Sequence, residues 1–341
     1  TPDDAVAAAP GAAAHAPPIG EARASEAARA FAIDDAPASP PGVDPVRPRV
    51  LVVVHDPAVA SQGHRRLTEI FGWHDPDALV RQYVADLAAA SHGYLRYDVV
   101  ERIVSNDFPV KRDGFRYTGA SYLAGWHARR MHQPDAIDYG AQIAAFDLVG
   151  RYERDEIDEA WFVSFPYSGD YESTMVGRGA FWCNSPPVAG TGRCAGRFVL
   201  MAFNYERDVG CMLENFGHRV ESILTRVWRN HPPERNLWAR FIQHERTAPG
   251  RAHCGNVHFA PNSERDYDWG NRRPVVSHCD DWLHFPDLAG RARRVDCREW
   301  GGGDMRAHHL WWLGHLPHVA GETDGVLNNW WAYVVDPNRV R

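Results

Sequence analysis

Apolar and polar residues alternate in two rhythms along this chain, and each rhythm predicts its own kind of element. The run Arg49-Val50-Leu51-Val52-Val53-Val54 is continuous and β-branched, and ends in His55-Asp56-Pro57. That pattern predicts a strand covered on both faces. Residues 75–90 change to a helical period, with Leu79, Val80, Tyr83, Val84 and Leu87 on one side, Asp75 placed to cap and Pro76 at the first position. Residues 94–103 then alternate as a second strand. Further on, the spacing predicts a helix over 137–149, strands over 157–165 and 197–203, a long helix over 208–229 and a last helix over 304–316. Strands alternating with helices predict an α/β fold, a mostly parallel central sheet flanked by helices.

Between these segments the pattern lapses. Residues 1–47 are rich in alanine and proline and read as a flexible tail or linker, because such a composition buries too little apolar surface to offset its ordering entropy. The single globular domain is expected over 48–341, with the sheet core in 48–230 and a loop-rich lobe in 231–341. Within that lobe the stretch 245–303 carries much Gly, Pro, Asn, Asp and Arg. It is long for a structureless loop, and is expected to be irregular structure held by tryptophans and disulfides.

Composition narrows the classes. A net charge of −7 gives no broad positive field, so no nucleic-acid partner is expected. No run approaches eighteen apolar residues, so no membrane span is expected. Lys111 is the only lysine among the 37 basic residues, a bias that a GC-rich bacterial genome also produces. The first residue is Thr1 and the chain has six cysteines, Cys183, Cys194, Cys211, Cys254, Cys279 and Cys297. An even number suggests a secreted, extracellular protein with a disulfide framework. Cys183 and Cys194 flank a Pro/Gly loop and are expected to pair first.

The predicted helix 208–229 carries the strongest chemistry. Val209, Met212, Leu213, Phe216, Val220, Ile223, Leu224 and Val227 form its core stripe, while Glu214, His218 and Glu221 form a second, narrower stripe. A carboxylate, an imidazole and a carboxylate one turn apart can converge on zinc or another divalent metal, or simply form a solvated face. Gly217, beside His218, suggests a close approach of another segment. The string Leu213-Glu214-Asn215-Phe216-Gly217-His218 resembles the zinc-binding helix of zincin-type metallopeptidases, whose pattern is HExxH. The resemblance covers about six residues and implies that His218 is a metal ligand. Glu214 stands where that family has its first histidine, and Asn215 where it has its general-base glutamate. An asparagine cannot take a proton from water, so Glu206 or Glu221 is expected in that role.

Two further groupings complete the reading. Ligands gather at the carboxyl ends of strands in open α/β sheets, and those ends here carry Asp56, Asp170, Glu172 and Glu206. In the C-terminal third, residues 253–331 interleave eight histidines with seven tryptophans, and His308 or His315 is expected to complete a site begun by His218, with His308 preferred. Three functions fit: a metal-dependent, peptidase-like hydrolase of an extracellular polymer; a metal-independent carbohydrate-active enzyme using paired carboxylates such as Glu172; and a non-catalytic protein that binds a glycan or protein. The corresponding partner is an extracellular peptide or glycan.

Overall fold

The computed structural model describes Phe31 and residues 37–341. Most of the expected tail therefore lies outside the described residues. Residues 37–47 lie on the body: Arg96 donates to the Pro37 carbonyl, and Val46 bridges Leu95.

Five strands form the central sheet: β1 (Arg49–His55), β2 (Asp98–Ser105), β3 (Glu159–Ser164), β4 (Ser173–Gly177) and β5 (Arg197–Asn204). Their order is β2-β1-β3-β5-β4; all neighbours are parallel except β4, which runs antiparallel on the edge of β5. The alternation of strand side chains divides the core. Val50, Val52 and Val54 face one apolar cluster, and Leu51 and Val53 face a second.

The larger cluster lies under three helices: α1 (Pro76–Ala90), α2 (Val209–Trp228) and α3 (Met305–Gly314). Each opens on an aspartate, Asp75 as expected, with Asp208 and Asp304 in the same role. Asp75 accepts from Asp77 and Ala78, Asp208 from Gly210 and Asp304 from Ala307, satisfying amides that have no partner within the helix. The helix expected over 137–149 is instead two short ones, Tyr139–Ala145 and Leu148–Glu153, broken at Asp147, which adopts a φ of 49°.

The expected disulfides do not form; all six cysteines are free thiols. Cys183 belongs to the larger apolar cluster and Cys194 to the smaller, so the sheet lies between them. Five of the six are buried and pack as small apolar groups. The even count therefore carries no information about export.

The C-terminal lobe is irregular, with a small hairpin from Val275–Ser277 and Arg293–Val295. Its tryptophans hold it together from inside. Trp282, Trp300, Trp312, Trp330 and Trp331 are fully buried and Trp269 nearly so. Trp282, Trp312 and Trp330 pack with Trp228, Trp238 and Phe241, for example Phe241 edge-to-face on Trp282 at 5.1 Å and Trp228 on Trp330 at 5.6 Å, while Trp269 and Trp300 meet around His308 and Trp331 stacks on Phe216. None of these rings is available to stack on a sugar. Among the described residues no helix is long and apolar enough to cross a membrane.

Candidate metal centre

Helix α2 runs across the larger core face with its apolar stripe inward and the Glu214–His218–Glu221 stripe toward a loop at residues 254–269. Gly217 sets the distance between them: a Cβ there would lie 2.6 Å from a Val257 methyl. Without it the loop comes down directly on the helix, and the residue after Val257 is His258. Gly255, at a φ of 73°, makes the turn that leads in; a Cβ there would collide with the Phe259 carbonyl.

Glu214, His218 and His258 consequently meet, each offering one donor atom within 4.8 Å of the others. His258 Nε2 stands 3.1 Å from Glu214 Oε1. Donors around a tetrahedral zinc at ~2.0–2.1 Å are separated by roughly 3.3 Å, so this pair already has the spacing of two ligands. An outer carboxylate holds the His218 ring and another lies near His258. His218 Nδ1 bonds Glu221 Oε2 at 3.1 Å, and His258 Nδ1 faces Asp266 at 3.7 Å. Each ring thus presents Nε2 inward with a carboxylate behind Nδ1, the arrangement that orients metal-binding histidines. Glu221 also accepts from the Val257 amide, so one carboxylate positions both the helix histidine and the loop.

Glu172, after β3, reaches the same point from the sheet, with an oxygen 3.8 Å from His218 Nε2. Asn184 donates to that oxygen, and its own amide is held by Ser222 on α2. The Tyr267 hydroxyl interacts with Glu214; burial and neighbouring carboxylates raise its pKa, so it stays a proton donor. Burial opposes charge on His218, but Glu221, Glu172 and Glu214 outweigh it and its pKa ends above the usual 6.5. Burial likewise opposes charge on Glu214, and the histidines outweigh it to lower its pKa. Carboxylates around imidazoles make this a place that favours a cation.

Cavities open on both sides of the cluster. One, about 590 Å3, includes Asp170, Glu172, Asn204, Arg207, Glu214 and Tyr267. The other, about 470 Å3, lies beyond His218 and Glu221 and is bordered by Phe181, Trp182 and Arg226. The most exposed aromatic rings among the described residues flank this region, Trp182 at 60% and Tyr267 at 54%. Asp170, partly buried and bonded by Ser168 at 2.7 Å, is pushed up to about 6 by its loss of solvent.

The expected site residues therefore separate. Glu214, His218, Glu221 and Glu172 come together. Glu206 is exposed in the turn after β5 and borders neither cavity. Asp56 is buried and accepts from Thr68, a structural bond. Asn215 donates to the Ala202 carbonyl at 2.7 Å, tying α2 to β5. His308 is not a member of the cluster; it is fully buried and stacks on Trp269 at 5.2 Å. His258 takes the place expected for it. Its loop has no periodicity, and among ten downstream histidines nothing local marks it.

Comparison of the chain with family models, with curated proteins and with solved structures finds no match. The class that fold and site define is an α/β protein with a Glu–His–His cluster between two cavities.

Proposed function

We propose that this protein is a metal-dependent hydrolase that cleaves an acyl bond, amide or ester, in an extended polymer. The convergence of Glu214, His218 and His258, each histidine with a carboxylate behind it, carries this reading. A divalent metal such as zinc would polarise a carbonyl and lower the pKa of water. A glycosidic bond offers no carbonyl, so the scissile bond is acyl whether the polymer is a peptide or a substituted glycan. Glu172, beside the cluster and partly exposed, is the group placed to take the proton from water. Tyr267 is placed to donate to the developing oxyanion, and the two cavities accommodate chain on either side.

Elemental analysis of chelator-free protein tests the ligand set. Wild type is expected to hold one zinc equivalent more than His218→Ala. Glu172→Gln is expected to keep that metal and lose ~10²–10⁴-fold in turnover on peptide or acylated-glycan substrates. Equal metal content in wild type and His218→Ala would overturn the proposal, and full activity in Glu172→Gln would remove Glu172 as the base.

A further inference from the structure

A second cluster lies in the C-terminal lobe, apart from the centre just described. Cys279, Asp280 and His315 each offer a donor atom within 4.8 Å of the others. Cys279 precedes the short helix Asp280–Leu283, and His315 ends α3. The cluster thus links the irregular segment to the last long helix.

The chemistry of His315 is decisive. The ring is 6% exposed, and its Nδ1 lies 2.6 Å from the Trp311 carbonyl. A carbonyl can only accept, so the proton is on Nδ1. With Nδ1 donating to that carbonyl, the neutral ring carries a bare lone pair at Nε2. That nitrogen is buried and has no hydrogen-bond partner among the described residues. An uncompensated buried acceptor is costly. A thiol and a carboxylate lie within 4.8 Å of the ring's donor atom, and Cys279 Sγ stands 3.5 Å from Asp280 Oδ1.

Neighbouring charge also suits a cation. Arg293 donates to Asp280 Oδ2 at 2.7 Å and, through its other nitrogens, to Glu299. Its positive charge is shared between two carboxylates, while Asp280 Oδ1 remains toward the thiol. With Cys279 as thiolate the four groups sum to two negative charges, which one divalent ion neutralises. We propose that Cys279, Asp280 and His315 form a structural site for a thiophilic divalent metal of the zinc type, with a fourth position for water on the partly exposed Asp280 side. Thiolate, imidazole and carboxylate are all zinc donors. Binding transfers the Cys279 thiol proton to solvent as the sulfur–metal bond forms.

Cobalt(II) reports this site separately, because the ligands of the first centre contain no sulfur. Full-length protein stripped by chelator and titrated with Co2+ is expected to develop a sulfur-to-cobalt charge-transfer band in the near ultraviolet. The band should persist in His218→Ala and disappear in Cys279→Ser. His315→Gln, which keeps the thiol, should weaken Co2+ binding at this band at least tenfold and serves if Cys279→Ser fails to fold. A wild-type protein with no such band, a band that survives in Cys279→Ser, or an unchanged titration in His315→Gln would overturn the proposal.

Discussion

One missing methyl group positions the candidate centre. At Gly217 a Cβ would come within 2.6 Å of a methyl of Val257, itself stiff at χ1 and buried. The helix would gain about 1 kcal/mol from the better propensity of alanine, but overpacking costs ~1–3 kcal/mol. The strain is relieved most simply by lifting the loop, which moves His258 away from His218. Gly217→Ala is therefore expected to weaken zinc binding at the Glu214 centre at least tenfold, measured by competition with a chromogenic chelator. Unchanged affinity would mean that the loop does not depend on this contact. The His218 pKa, raised by Glu221, Glu172 and Glu214 against the effect of burial, adds a pH dependence. Protons compete for its nitrogen over a wider range than for an ordinary imidazole, so zinc affinity should rise with pH through and above about 6.5.

Among the elements, α2 has the most to do, and a charge locks it to the sheet. Arg219 is fully buried and donates twice to Glu159 of β3, both bonds at 2.7 Å, and also to the Val334 carbonyl at 2.8 Å. Glu159 also accepts from Tyr97 and from the Trp161 indole. The pair sets the rotation of α2 about its axis, which decides where His218, one residue earlier, points. Removing one partner of such a pair strands the other charge and costs ~3–5 kcal/mol. Arg219→Met should lower stability by that order in urea titrations, and Arg219→Met with Glu159→Gln should recover a large part of the loss. If the double variant is no better than the single one, the cost lies in packing rather than in the stranded carboxylate.

At the scale of the whole molecule, buried neutral histidines set the response to acid. Burial holds His55 at about 4 and His253 at about 3, against an ordinary 6.5, and places His308 well below that value. In the unfolded chain these rings protonate near 6.5. Below that pH the unfolded state binds more protons than the folded one, so stability falls as pH drops from about 6.5 toward 4. Each histidine contributes about 1.4 kcal/mol per pH unit within its window. The urea midpoint should accordingly drop steeply between pH ~6.5 and ~4.5; a midpoint flat across that range would show that these rings open to solvent.

Much of the fold was legible in order along the chain. Residues 50–54 could only be a covered strand, the Asp-capped helices start where their side chains satisfy free amides, and the stripe of α2 faces the core because eight apolar residues repeat at its period. Half of the candidate centre was visible for the same reason: Glu214, His218 and Glu221 share a helix, and a helix places residues three and four apart on one side. The remainder is non-local. His258 reaches His218 through a loop without periodicity, and Glu172 arrives from the residue just before the edge strand β4. Cys183 and Cys194 are close in sequence yet lie on opposite faces of the sheet. The lobe's tryptophans turn inward because the helices beside them leave apolar surface to cover. Spacing along the chain determined which residues share an element and a face; only the packing of elements, fixed by contacts such as Gly217 on Val257 and Arg219 on Glu159, decided which faces meet and which charges converge on one point.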